Sequence, residues 1–202
     1  MTNILIGIGI CVVSYFLGCF SSARVLAKSF RNLNIYKVGT GLADTHNIYT
    51  NVSKPLGILA TVLDMAKMYV YVILTEYLLG KMGYDNDIVH TPIFIFGFFL
   101  IAGHCLPVTH KFKGGRGINP YIGLMLFYIP IPMGIIFGLA LLVGFFFKQV
   151  RFAQYLVVLL PPIVCMFLSE NVISRELNTL MVVGALLMGV FNFIVSKRLG
   201  EF

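Results

Sequence analysis

The chain has 202 residues, of which 58% are hydrophobic and only 11% charged, and its mean hydropathy is +0.91. A water-soluble domain carries about a quarter charged residues, so there is too little polar surface here to coat a globule in water. The formal net charge of +7 does not point to a nucleic-acid partner, because the cations sit in short loops between apolar runs, where they set topology in a bilayer. The apolar runs are too long and too frequent for core strands. The expected class is therefore all-α, a polytopic membrane helical bundle forming a single integral membrane domain over residues 1–202.

The first apolar run, Ile4–Phe20, has no basic segment before it and is followed by Arg24, Lys28 and Arg31, so it reads as a first span rather than a cleaved signal. Further spans are expected at Leu56–Leu79, Thr91–Ala102, Pro120–Tyr128, Pro132–Phe147, Phe152–Leu168 and Leu180–Val195. A crossing helix needs roughly 20 residues, so the third and fourth are short and either extend into their flanks or include one that is tilted or half-buried. Pro130-Ile131-Pro132 interrupts a run too long for one span and marks a tight hairpin. About seven transmembrane helices follow.

Seven spans with the N-terminus outside and the C-terminus cytoplasmic put twelve of the fifteen Lys and Arg residues on the inner side. Only Lys81 and Arg175 are left outside, beside Asp85, Asp87, Glu170 and Glu176, while Lys67 lies within a span. This sorting is the positive-inside pattern. The cysteines Cys11, Cys19, Cys105 and Cys165 show no paired spacing and read as small hydrophobes.

Two inner loops are richer than topology requires. Lys37 to Asn47 contains Gly39, Thr40, Gly41 and His46, pairing glycines with hydroxyl and amide side chains. Lys111-Phe112-Lys113-Gly114-Gly115-Arg116-Gly117 precedes a helix. Its glycines permit tight turns that aim several N–H groups at one point, and Lys113, Arg116 and the helix start add positive charge. That combination suits a phosphate; a positive-inside loop with glycines only for turning accounts for it equally well. Asp64 and Lys67 are three residues apart within the second span, share a helix face and can pair, either as a structural brace or as part of a site. His104 stands at the inner end of the third span as a ligand, base or helix-end donor. The scattered histidines lack metal spacing, so no metal is expected.

Gly103-His104-x-x-Pro107-Val108 followed by Phe112-Lys113-Gly114-Gly115-Arg116-Gly117 resembles the GHxxPV and FKGGKG block of the bacterial acyl-phosphate:glycerol-3-phosphate acyltransferases (PlsY type), with Arg116 for lysine. Gly39-Thr40-Gly41 through Asn47 is similar to that family's GSGNxGATN, and Leu63-Asp64-x-x-Lys67 to its LDxxKG. The resemblance implies transfer of a fatty acyl group from acyl-phosphate to glycerol 3-phosphate, or a related phosphorylated acceptor, in phospholipid synthesis. It further implies a cytoplasmic active face in the bacterial cell membrane, with no metal, no cofactor and no nucleic acid. The chain is expected to act as a monomer among membrane lipids. By the same resemblance, Lys113, Gly114, Gly115, Arg116, Gly117, Gly39, Gly41, Asn47, His104, Asp64 and Lys67 bind or brace substrate, and Thr40 lines the reacting end.

Departures from the pattern bear on the chemistry. The family's GSGN asparagine is Leu42, its GAT stretch is Asp44-Thr45-His46, and the arginine that follows is Thr50. Asp44 brings a negative charge towards a phosphate site. In the C-terminal HRENxxRL-like segment, histidine aligns with Asn192 and asparagine with Val195, while Arg198 and Leu199 remain. The serine of the loop before the sixth span has no clear counterpart around Phe152–Tyr155. Asn192 cannot serve as a general base, and losing one costs on the order of 10²–10⁴-fold in rate. His46 is the candidate to replace it as the catalytic histidine; the other reading is an ordinary solvated loop histidine. The alternative is an impaired member that binds a phosphate-bearing lipid head group or serves a partner enzyme.

Overall fold

The structure, a computed structural model, describes residues 2–84, 86–168 and 173–200. Asp85 and Glu170, two of the acids expected on the outer side, lie outside these residues, as does the side chain of Asp87. Among the described residues all regular structure is helical: α1 (Thr2–Gly18), α2 (Ser22–Arg31), α3 (Thr45–Asn51), α4 (Lys54–Lys81), α5 (Asn86–Cys105), α6 (Ile118–Tyr128), α7 (Pro130–Phe146), α8 (Val150–Cys165) and α9 (Arg175–Arg198), with 3-10 turns at Ile35–Lys37 and Val108–His110.

Among the described residues four segments are long and apolar enough to cross a membrane by length and composition: Ile4–Arg31, which runs through most of α1 and all of α2, then Lys54–Lys81, His90–His110 and Arg175–Arg198. The seven expected spans therefore divide into these four and three shorter apolar helices, α6, α7 and α8. The third expected span extends at both ends into the 20 residues of α5. The fourth does not extend. α6 has 11 residues, which at 1.5 Å per residue is about 16 Å, roughly half the hydrocarbon thickness. Its residues Pro120 to Met125 are all buried, so its middle is enclosed by protein rather than lipid, where a short helix is tolerated.

The expected break at Pro130–Pro132 is tighter than a hairpin loop. Ile129 alone separates α6 from α7, with φ −137° and ψ 64°, and α7 starts on Pro130. Proline disfavours helical backbone at the residue before it but suits the first turn of a helix, where its missing N–H has no partner to lose.

The main core lies where α4, α5, α6, α8 and α9 meet, around Met68, Leu100, Tyr121, Leu124, Met125, Met181 and Met188. α1 packs on α5 through small residues. A Cβ on Gly18 would come 2.1 Å from the Leu100 carbonyl oxygen, and one on Gly103 would come 2.0 Å from that of Tyr15. Such contacts let membrane helices approach backbone to backbone. A second, smaller cluster of Ala23, Leu26, Ala27, Ile35, Ala43, Ile48 and Ala60 sits under α2, α3 and the start of α4. It anchors the first glycine-rich loop. α2 itself is capped by Ser21, whose hydroxyl accepts from the Arg24 N–H at 3.2 Å, and ends at Asn32 in the left-handed region.

Candidate active site

The first loop is built around Asn47, which is fully buried. Its Oδ1 accepts from the Thr40 N–H at 3.2 Å and from Asn51 Nδ2 at 2.9 Å, and its Nδ2 donates to the carbonyls of Val38 and Leu42, both at 2.9 Å. Gly39 (φ 52°) and Gly41 (φ 71°) occupy the left-handed region on either side of Thr40. Gly39 also has no room for a side chain, since a Cβ there would lie 2.4 Å from Asn47 Oδ1. Asn47 thus acts inside the loop as its scaffold. Asp44 caps α3, its Oδ1 accepting from the Asn47 N–H at 2.8 Å. Burial pushes the Asp44 carboxyl above the usual carboxylate range, opposed by the Asn47 N–H and by the charges of His46 and Arg116.

The second loop is clamped onto the end of α5. The Gly115 N–H donates to the His104 carbonyl at 3.1 Å, and a Cβ on Gly114 would meet that same oxygen at 2.1 Å. Tyr15 of α1 braces the turn before it, donating to the Leu106 carbonyl at 2.6 Å and accepting from the Val108 N–H at 3.2 Å. These glycines therefore allow close packing beneath the site. Arg116, with 7% of its surface exposed, donates from Nη1 to Ser196 Oγ at 3.0 Å. Lys113 is exposed and does not reach the cavity described next.

A cavity of about 770 Å³ joins the two loops. Thr40, Leu42, Asp44 and His46 line it from the first loop and Arg116 from the second. Lys148, Gln149, Val150, Arg151, Phe152, Gln154 and Tyr155 line it from the start of α8, and Leu199 closes it. The volume is that of a small-molecule site. Asn119 Nδ2 at the start of α6 donates to Thr45 Oγ1 at 2.8 Å, tying the loops together from behind.

Of the residues singled out in the sequence, Thr40, His46 and Arg116 therefore face one space. Gly39, Gly41 and Asn47 shape the first loop, and Gly114, Gly115 and Gly117 shape the second. His104 and Asp64 lie beneath the site, 5% and 1% exposed, with His104 Nδ1 and Asp64 Oδ2 lacking a protein partner. The expected Asp64–Lys67 ion pair does not form within 4.0 Å. Asp64 Oδ1 instead accepts from Ser22 Oγ at 2.7 Å, and Lys67 Nζ donates to the Phe20 carbonyl at 2.9 Å. The break between α1 and α2 frees that carbonyl from the helix ladder, which is why the lysine finds a neutral partner there. Lys148, Arg151, Ser196 and Tyr155 were not singled out; in the sequence the two cations are indistinguishable from other topogenic ones.

A basic cavity between two glycine-rich loops of an apolar helical bundle suits an anionic ligand. The family model described as glycerol-3-phosphate acyltransferase matches residues 8–198, and the chain belongs to that family. It is 29% identical over 195 residues, 96% of this chain and 78% of the relative, to glycerol-3-phosphate acyltransferase 5 of Dehalococcoides mccartyi. It is 31% identical over 143 residues, 71% of each chain, to the glycerol-3-phosphate acyltransferase of Staphylococcus aureus. The crystal structure of PlsY, an integral membrane glycerol 3-phosphate acyltransferase, in its glycerol 3-phosphate form superimposes with a TM-score of 0.75 over 95% of this chain and 88% of that one. At 21% identity that likeness is one of fold. The chain is accordingly an integral membrane acyltransferase of phospholipid synthesis.

Proposed function

We propose that the chain transfers a fatty acyl group from acyl-phosphate to a hydroxyl of glycerol 3-phosphate, or of a related phosphorylated acceptor. The transfer takes place at the cytoplasmic face of a bacterial cell membrane, and the protein acts as a monomer. The observation that carries this is the single cavity in which Thr40, His46 and Arg116 meet an apolar wall of Leu42, Val150, Phe152 and Leu199. Phosphate groups fit the cationic end, and an acyl tail leaves over the apolar wall into lipid. Orientation follows from the charge sorting: the cavity's cations Arg116, Lys148 and Arg151 belong to the loops assigned to the inside, with the N-terminus outside and the C-terminus inside.

In the reaction the acceptor oxygen attacks the acyl carbonyl carbon, the bond from that carbon to the phosphate oxygen breaks, and inorganic phosphate leaves. The hydroxyl proton passes to the His46 imidazole. Arg116 holds negative charge, and Thr40 offers a hydroxyl to the reacting end. Neither a metal nor coenzyme A takes part. Detergent-purified protein given acyl-phosphate and glycerol 3-phosphate is expected to yield lysophosphatidate and phosphate in equal amounts. Absence of both products from folded protein would overturn the reading and favour a lipid head-group binder.

A further inference from the structure

Asp64 of α4 and His104 of α5 lie beneath the second glycine-rich loop, and each has one polar atom that the protein does not serve. The Asp64 Oδ1 oxygen accepts from Ser22 Oγ at 2.7 Å. Its Oδ2 and the Nδ1 of His104 are buried without a hydrogen-bonding partner in the protein. No ion pair joins the two side chains within 4.0 Å among the described residues. They are neighbours all the same, since the charges that act on the His104 ring are those of Asp64 and Lys67. A buried polar atom left unserved costs more than an ordinary hydrogen bond returns, most of all on a charged group. Whatever joins them has to donate to the carboxylate and either donate to the imidazole or accept from it. A cation is disfavoured by Lys67, whose Nζ donates to the nearby Phe20 carbonyl at 2.9 Å, and an anion is disfavoured by Asp64. A neutral molecule with both donors and acceptors remains, and water is small enough to be enclosed there.

The other edge of the ring touches the loop. His104 Nε2 lies 2.8 Å from where a Cβ on Gly115 would stand, and Asp44 Cβ lies 3.2 Å from the same point. The Gly115 N–H donates to the His104 carbonyl at 3.1 Å. Residue 104 thus meets Gly115 through both backbone and ring, one residue before Arg116. We infer that a buried water bridges Asp64 Oδ2 and His104 Nδ1, and that this makes Asp64 and His104 positioning residues for the cavity. Ser22 orients the Asp64 carboxyl. The water passes that orientation to the imidazole, with Nδ1 turned to α4 and Nε2 to Gly115. The ring then sets where Arg116 and Asp44 enter the cavity wall. Neither Asp64 nor His104 lines the cavity, so they act through the loop and not on substrate. The inference rests on the acyl-transfer reading only for the substrate whose KM is measured.

The test joins a high-resolution crystal structure of the wild type, grown in a lipid mesophase, to a double-mutant cycle. The cycle uses Asp64→Leu, His104→Phe and the double variant, with Asp64→Asn as the conservative change. Each protein is titrated in detergent with inorganic phosphate, and KM and kcat are measured with glycerol 3-phosphate varied. The expected density is one water at about 2.7–3.2 Å from both Asp64 Oδ2 and His104 Nδ1. It is read on the wild type and does not depend on any variant folding. Asp64→Leu keeps the volume and removes the acceptor. Phosphate affinity is expected to fall and KM to rise about tenfold, with kcat within about threefold, as for a binding group displaced rather than removed. His104→Phe keeps a ring under Gly115 and should lose a similar factor. The double variant is expected to be no weaker than the single ones, because both break the same chain of contacts. Asp64→Asn, whose amide still serves Ser22 and the water, should recover most of the loss. A direct Asp64–His104 contact, or no density between them, overturns the water. Losses that add in the double variant, or wild-type phosphate affinity in Asp64→Leu, overturn the positioning role. A coupled loss of phosphate binding in a protein that makes no lysophosphatidate upholds the inference and overturns the acyl-transfer reading.

Discussion

Asn192 places its side-chain amide 3.4 Å from the carbonyl oxygen of Arg116 and 2.9 Å from that of Met188. The position at which the resemblance calls for histidine is therefore spent on holding the backbone of the second loop against α9, and it does not line the cavity. Asn192→Ala is expected to lower stability by about 1 kcal/mol, the worth of an ordinary hydrogen bond, and to leave kcat within a few-fold of wild type. Thermal unfolding in detergent and turnover on acyl-phosphate check both halves. A collapse of kcat with unchanged stability would return Asn192 to the chemistry.

In the proposed acyl transfer the proton goes elsewhere, and His46 faces the same cavity as Thr40 and Arg116. His46→Gln keeps a polar side chain of similar reach at the second residue of α3 but removes the base. The expectation is a fall in kcat of about 10²-fold or more with little change in KM for glycerol 3-phosphate. Single-turnover measurements separate this from slowed product release. Unchanged kcat would leave proton transfer to the leaving phosphate or to solvent.

Asp44 is held by two opposing demands. As the cap of α3 it orders the loop that carries Thr40 and His46, and as a carboxylate in the cavity wall it repels phosphate. Asp44→Asn keeps a good cap and removes the charge. KM for glycerol 3-phosphate is expected to fall about fivefold, as for roughly 1 kcal/mol of lost repulsion. Burial holds the folded-state pKa above the unfolded one. The neutral carboxyl's contribution to stability is therefore complete below the unfolded pKa and is lost as pH rises through the folded value. Asp44→Asn cannot ionise, so its gain in stability over wild type should appear above the raised pKa and vanish at low pH. Asp44→Ala lacks the cap and should instead lose about 1 kcal/mol. Melting temperatures across pH for both variants decide the matter.

Much of this was legible in the sequence, and the reasons differ by element. The bilayer environment and the long helices α4, α5 and α9 follow from apolar length, which water does not tolerate. α6 could not be read as a half-length helix. A run of nine apolar residues has the same pattern whether it borders lipid or other helices, and only packing against α4, α5 and α8 distinguishes them. The glycine-rich loops were legible as loops, but the division of labour within them was not. Arg116 lines the cavity and Lys113 does not, a difference set by Gly114 and Gly115 docking on α5 rather than by residue type. Lys148 and Arg151 carry the same charge as any topogenic cation. Their part in the site depends on where α8 starts relative to Ser196, a contact between residues 45 apart in the chain. Asp64 and Lys67 lie in the apolar helix Lys54–Lys81, but their partners Ser22 and Phe20 come from the break after α1, which local spacing does not encode.

That docking makes the two adjacent glycines unequal. A Cβ on Gly114 would stand 2.1 Å from the His104 carbonyl oxygen and 2.6 Å from that of Cys105, both backbone atoms at the end of α5. A Cβ on Gly115 would meet His104 Nε2, the far end of a ring that can turn, at 2.8 Å, and beyond it only Asp44 Cβ at 3.2 Å and the Ala43 carbonyl oxygen at 3.3 Å, which need give by a few tenths of an ångström. Gly114→Ala must therefore push the loop off α5 and is expected to cost about 3 kcal/mol or more, in the range of severe core strain, visible as lost yield and a lowered melting temperature. Gly115→Ala should remain folded. It displaces the His104 ring and Asp44 instead, shifting the cap of α3 and with it Thr40 and His46, so KM rises and kcat falls at nearly wild-type stability. The reverse ranking of the two variants in stability would mean that the loop does not dock on α5 as described, and the placement of Arg116 in the cavity would fall with it.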